Sequence, residues 1–133
     1  MNDIESQVFT PIAQAIRAGY AGAFVTGEYV KAPSNFPHVS IVESDNYMSI
    51  GHRDTSDAER YSTVMYEINV YSNKTSGKKS EAKAIMGLID HMMYARNFTR
   101  LSLTPVPNME DATIYRLTAR YRAETDGTNL YRI

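Results

Sequence analysis

The chain has 133 residues, the usual size of one domain, and a domain of this length buries roughly two-thirds of its unfolded surface. Its net charge of −1 gives no long-range attraction to nucleic acid or an anionic membrane, and the absence of cysteine excludes disulfides and thiolate metal sites. Because the N-terminus lacks the pattern of a signal peptide and no apolar run approaches the ~20 residues that span a bilayer, we expect one soluble domain over residues 1–133.

The first predicted element is an amphipathic helix over residues 3–18, in which isoleucine or valine recurs every four residues. Asp3 is a plausible N-cap for this helix. A second start stays open, because Thr10 and Pro11 also fit an N-cap followed by the first helical residue. The run from 19 to 22, which contains two glycines, ends the helix.

Two strands are predicted next. Residues 23–26 predict a short strand that Gly27 closes, and a loop with two prolines follows. Residues 38–45 alternate in polarity and have apolar side chains on both faces near the middle, which favours a central strand.

Residues 46–60 show no periodic pattern and predict a long loop. Loops of this length are uncommon inside compact domains and often bind a partner, so we expect this one to contact another subunit or protein. The residues that we expect at the contact are Tyr47, Ile50, His52, Arg53, Asp54, Asp57 and Glu59. His52 and the acidic residues are also ligand types that metals accept, but no glycine has the spacing of a calcium loop, which favours a solvated loop.

Between residues 61 and 96, the spacing of the apolar residues changes from every second residue to the spacing of a helix. Val64, Tyr66, Ile68 and Val70 alternate with more polar residues and predict a strand. After a polar turn over residues 72–77, apolar side chains at steps of three and four predict an amphipathic helix with the stripe Ala82, Ile85, Met86, Ile89, Met92 and Met93. The sequence favours Ser80 as the N-cap, with Lys78 and Lys79 in the preceding loop; an anion site formed by these lysines in the first helical turn is the open alternative.

The last part of the chain predicts a short strand over residues 100–104, which the prolines at 105 and 107 end, and a long strand over residues 112–123. One face of the long strand is apolar, and the other carries Arg116, Arg120 and Arg122 beside Glu67 and Asn69 of the earlier strand. Asp126–Gly127 predicts a tight turn before a short terminal strand. We expect this charged face to be exposed in a monomer or covered by a neighbouring subunit.

The element order predicts an α+β fold, in which a single antiparallel-dominated sheet of four to five strands has two helices packed on one face. No catalytic, metal or phosphate-loop motif is present, and His38 and His91 are isolated, so we expect neither catalytic residues nor a cofactor. The arginine face has the spacing of a phosphate-tracking ribbon, but it lacks exposed aromatic residues between the arginines, which favours a structural surface over a nucleic-acid site.

Four segments resemble a family of small proteins from the structural modules of tailed bacteriophages and phage-tail-like particles, the tail completion or tail terminator proteins. These segments are 25–29 (VTGEY), 36–43 (FPHVSIVE), 64–74 (VMYEINVYSNK) and 111–122 (DATIYRLTARYR). The resemblance extends over nearly the whole chain and carries no catalytic residues. It leaves open the neighbouring head–tail joining or stopper proteins.

The resemblance implies a homohexameric ring that caps the head-proximal end of the tail tube. Its implied partners are the tube protein and the head connector or neck proteins, and genomic DNA would pass through the ring without specific binding. The implied location is the virion, after assembly in the cytoplasm of the bacterial host. A small nucleic-acid-binding module using Arg116, Arg120 and Arg122 is the alternative from a different class.

Overall fold

A computed structural model describes residues 1–30, 33–48, 61–107 and 111–133. The elements are α1 (Glu5–Gly19), β1 (Phe24–Thr26), β2 (His38–Met48), β3 (Ser62–Ser72), α2 (Lys78–Ala95), β4 (Thr99–Val106), β5 (Tyr115–Thr125) and β6 (Leu130–Tyr131). The predicted α+β class and element order are confirmed. Across the described residues the sheet has six strands, one more than the upper end of the predicted range, and two of these strands are only two and three residues long.

The sheet has the order β1-β2-β3-β5-β4, and β6 pairs with the far end of β5. Only β1 and β2 are parallel, so the sheet is antiparallel-dominated, as predicted. β3 occupies the middle, and β2 lies beside it with β1 covering only its first three residues. The outer edges are therefore β4 at one end and β1 with the rest of β2 at the other.

The hydrophobic core lies between the helices and one face of the sheet. Both predicted helical stripes and the alternating apolar residues of β3 and β5 point into it, and α2 packs on these two strands. Tyr66 and Phe98 are almost completely buried and meet edge to face with their ring centroids 5.5 Å apart. Each fully buried side chain of this size contributes about 1.5–3 kcal/mol to stability. The Tyr66 and Tyr121 hydroxyls donate hydrogen bonds to Glu43 and Asp90, which satisfies both hydroxyls inside the core.

Both helices begin elsewhere than their predicted caps. α1 begins at Glu5, and Asp3 accepts a hydrogen bond from the Glu5 amide at 3.1 Å without being the N-cap; the alternative start at Pro11 is wrong, since Pro11 lies inside the helix. The prediction of Ser80 as N-cap is also wrong. Gly77 adopts a φ of 89°, which glycine allows without strain, and its carbonyl accepts the first helical hydrogen bond from Glu81. Both predicted loop lysines therefore lie in the first turn of α2.

The two C-terminal strands differ from their predicted limits for local reasons. β4 continues through Pro105 to Val106, because an edge strand tolerates a proline whose missing N–H faces away from the sheet. β5 starts at Tyr115 rather than at residue 112, because the Asp111 carboxylate accepts hydrogen bonds from the Thr113 amide and hydroxyl and holds a turn there. Neither described helix is long and apolar enough to cross a membrane.

Candidate subunit interface

The face of the sheet opposite the helices is mostly buried, so the prediction of an exposed charged face is wrong. Asn69 is 0% exposed and Thr118 is 4% exposed, and of the three arginines only Arg120 is exposed. The parallel pairing of β1 and β2 requires a connection that returns to the start of β2, and a described residue of this connection contacts this face. Tyr29, in that connection, hydrogen-bonds to Glu67. We call this surface the second face.

An aromatic row crosses four strands of the second face. Phe24, His38, Tyr71 and Arg116 occupy successive cross-strand positions. The rings of Phe24 and His38 are 5.3 Å apart, those of His38 and Tyr71 are 5.8 Å apart, and the Arg116 guanidinium lies 5.5 Å from the Tyr71 centroid. Burial lowers the pKa of His38, which favours the neutral imidazole. This row stabilises the sheet by ring–ring and cation–π contacts rather than by ion pairs.

A polar row lies next to the aromatic row. The Asn69 Oδ1 accepts hydrogen bonds from the Thr118 hydroxyl at 2.6 Å and from the Arg116 Nε at 3.0 Å, and the Asn69 Nδ2 lies 3.5 Å from the Ser40 hydroxyl. Asn69 thus joins three strands through one amide. The arrangement holds Arg116 inside the molecule's own hydrogen-bond network and leaves its guanidinium less available to a ligand.

The third row contains the ion pair between Glu67 and Arg120. Their side chains are 13% and 55% exposed, and Arg120 donates to the carboxylate at 2.9 Å. Burial alone would raise the pKa of Glu67, but hydrogen bonds from Tyr29 and Arg120 outweigh it and lower that pKa below its usual range. Arg122 is half-buried, and its Nε has no hydrogen-bond partner in the described part of the chain.

The structure therefore brings together four of the predicted contact residues, Glu67, Arg116, Arg120 and Arg122, on two paired strands. The prediction that the long loop begins at residue 46 is wrong, because β2 continues to Met48 and pairs there with β3. Tyr47 therefore lies near the end of this strand and is 46% exposed. Ile50, His52, Arg53, Asp54, Asp57 and Glu59 lie outside the described residues.

Sequence reasoning missed a groove between α2 and the edge strand β4. It has a volume of about 420 Å³ and a floor of apolar side chains, among them Leu103, Pro105 and Leu117. Leu103 is 39% exposed, and Leu101, at the bulge in β4, is 43% exposed. Lys79 and Lys83 form its helical rim. The signal in the sequence was the alternation of Leu101, Leu103 and Pro105, which continues past the predicted end of the strand.

The described residues contain no group of three or more His, Cys, Asp or Glu side chains placed to hold a metal ion. In comparisons with known proteins, neither a family model nor a curated protein sequence matches this chain.

Proposed function

We propose that this chain is a structural ring subunit of a bacteriophage tail or a phage-tail-like particle. The ring caps the head-proximal end of the tail tube and joins it to the head connector. The observation that carries the proposal is the resemblance of the four strand and turn segments, which together include parts of β1, β2, β3 and β5. The α+β subunit with one antiparallel-dominated sheet is compatible with that family.

The edge of the sheet gives physical support to the proposal. β4 is eight residues long and pairs on one side only within the described residues. The bulge at Leu101 and the proline at 105 partly protect this edge, but β4 also carries two exposed leucines, which water-exposed edges usually avoid. An edge of this kind suits a protein that is covered by another subunit in its working state.

A head–tail joining or stopper protein of the neck remains the nearest alternative, because it would use a ring of similar subunits at a neighbouring position. The nucleic-acid-binding module is less well supported, because Arg116 donates a hydrogen bond to Asn69 and Arg120 donates one to Glu67, so neither guanidinium is free of partners within the chain. Location in the particle separates the first two functions, and DNA affinity tests the third.

Imaging of tails tests the proposal. Tails assembled with a peptide-tagged form of this chain should carry antibody label in one ring at the head-proximal end of the tube, and the mass of the complex in solution should be a whole multiple of the 15.0 kDa chain. Label on the connector side of a separate terminator ring would favour the stopper function. Intact tails with no label at the tube end would rule out both.

A further inference from the structure

The rim of the α2–β4 groove carries positive charge that the described residues do not neutralise. Lys79 and Lys83 are exposed and one helical turn apart, and neither forms an ion pair within the described ranges. At the other end of the groove, Arg100 already pairs with Asp90 at 3.2 Å. The groove therefore offers an apolar floor and two unpaired ammonium groups, which suits an acidic surface with an apolar side chain.

Gly87 leaves open space above the same groove. It lies in the middle of α2, is exposed, and an added Cβ there would meet no atom of the described residues within 4 Å. Glycine weakens a helix interior relative to alanine, and none of the neighbours that the structure describes requires its small size. A residue without a side chain at the groove wall admits the close approach of another backbone.

The opposite end of the sheet carries the complementary charge. Asp3 and Glu5, at the start of α1, are exposed and line a depression with Phe9 and Gly27 beside the end of β1. Neither carboxylate forms a salt bridge in the part of the chain that the structure describes. The negative potential of these two carboxylates affects the nearby Glu43. Burial raises the pKa of Glu43, and the charges of Glu5 and Asp3 raise it further. We call Asp3, Glu5 and Phe9 the acidic edge.

We infer that the α2–β4 groove binds the acidic edge of a second copy of this chain. The groove borders β4 at one edge of the sheet, and the depression includes Gly27, which follows β1 at the other edge, so the contact joins unlike surfaces head to tail. A contact of this kind propagates from copy to copy and closes into a ring when its rotation divides a full turn. The inference rests on the proposed ring and specifies the interface between its subunits. In this interface, Lys79 and Lys83 of one copy contact Asp3 and Glu5 of the next, and the apolar side chain of the acidic edge covers Leu103.

Charge reversal tests the pairing. Lys79→Glu with Lys83→Glu, and separately Asp3→Lys with Glu5→Lys, should each weaken self-association more than about tenfold, because like charges then face each other. An equimolar mixture of the two variants should assemble again, since each contact then joins opposite charges in alternating order, which only an even-numbered ring can close. Lys74→Glu, away from the groove, is the control and should assemble normally.

Cysteine cross-linking detects the contact even if association is weak, and the chain has no cysteine to give a background. Under mild oxidation, Lys83→Cys chains mixed with Glu5→Cys chains should form mixed dimers, and a chain carrying both substitutions should form a ladder of oligomers. Lys74→Cys mixed with Glu5→Cys is the control. Gly87→Leu should abolish the cross-link, whereas Ala84→Leu, at an exposed position outside the groove lining, should not.

The outcomes separate the inference from the proposed function. Rings on tails that are insensitive to charge reversal, or equal cross-linking by the Lys74→Cys control, would overturn the inference and leave the tail function standing. Head-to-tail cross-links without a ring on any tail would support the inference and remove the function. If reversal of Lys79 and Lys83 abolished binding of a DNA probe and left self-association unchanged, the groove would be a polyanion site and the inference would be wrong.

Discussion

Asn69 is the residue on which the polar row of the second face depends. It is fully buried and accepts hydrogen bonds from Thr118 and Arg116. Asn69→Ala would leave both donors without that acceptor, so we expect the free energy of unfolding to fall by about 2–4 kcal/mol. Urea unfolding measures this decrease. Asn73→Ala, at an exposed position, is the matched control and should change stability by less than about 0.5 kcal/mol; an equally small effect of Asn69→Ala would contradict the prediction.

Tyr29 gives the second face a pH dependence at the alkaline end. Partial burial of Tyr29, which is still 58% exposed, acts together with the hydrogen bond and the charge of Glu67 to raise its pKa from 10.0 to about 12. Because the folded pKa exceeds the unfolded one, the contribution of the neutral phenol is complete below the unfolded pKa and is lost as the pH rises through the folded value.

The stability difference between the wild type and Tyr29→Phe should therefore be constant near neutral pH and shrink as the pH rises from 10 toward about 12. Guanidinium unfolding at a series of pH values measures it. Tyr94→Phe, at a residue that is 64% exposed, is the control. If the stability difference stayed constant over the whole pH range, the contribution of Tyr29 to stability would not depend on its neutral form, and the prediction would be wrong.

Within α1, Pro11 interrupts the backbone hydrogen bonds of a helix that is otherwise complete from Glu5 to Gly19. Proline has no N–H to donate to the carbonyl four residues earlier, and it is up to about 3 kcal/mol less favourable than alanine in a helix interior. Pro11→Ala should therefore stabilise the protein, which a higher urea midpoint with an unchanged m-value would show. Thr10→Ala is the neighbouring control. A lower midpoint for Pro11→Ala would mean that the ring of Pro11 contributes packing that outweighs the missing hydrogen bond.

The elements that were predicted well are those whose apolar residues repeat over several turns or pleats. The stripe of α2 and the alternation in β3 and β5 each determine a buried face. A one-residue shift would move the whole apolar set of a strand to the other face, and rotation of the helix would turn its stripe away from the sheet. Alternation also placed Glu67 and Arg120 on one face, and the structure pairs them. Element ends were less predictable, because they depend on single conformations such as the positive φ of Gly77 and on the edge position of Pro105.

The burial of the second face could not be predicted, because it depends on the direction of a three-residue strand. Alternating polarity gives the same pattern for parallel and antiparallel pairing, and only the parallel pairing of β1 requires a return across the sheet. The α2–β4 groove was missed for a related reason. It forms between a helix and the edge strand of the sheet, and the apolar alternation of β4 alone does not show which helix lies beside it.

At the scale of the whole molecule, the two ends of the sheet differ in chemistry while its faces are both largely covered. One end has the apolar edge of β4 with the lysines of α2, and the other has the carboxylates of α1. A net charge of −1 hides this division, because opposite charges at the two ends cancel in the sum. If these unlike ends bind each other, the contact is head to tail, which leads to rings or filaments.

The arginine residues of the second face distinguish a structural ring subunit from a nucleic-acid-binding module. In a ring through which DNA passes, tight phosphate contacts would slow the DNA, so neutralised arginines suit that function. Arg120 is already paired with Glu67, and Arg122 is half-buried. We therefore expect weak binding of single- and double-stranded DNA, with little change in Arg120→Ala/Arg122→Ala, a variant that keeps the bond between Arg116 and Asn69.

Fluorescence anisotropy at low and moderate salt measures this affinity, and circular dichroism checks that each variant folds. Lys79→Ala/Lys83→Ala is the charge-matched control on the other side of the sheet. Each lost contact between a basic side chain and a phosphate of duplex DNA reduces the slope of log affinity against log salt by about 0.9. If the second face binds DNA, the arginine variant should therefore show a slope smaller by about two units, and the lysine control should not. Sub-micromolar binding at moderate salt that disappears in this variant and persists in the lysine control would replace the ring proposal with the nucleic-acid function.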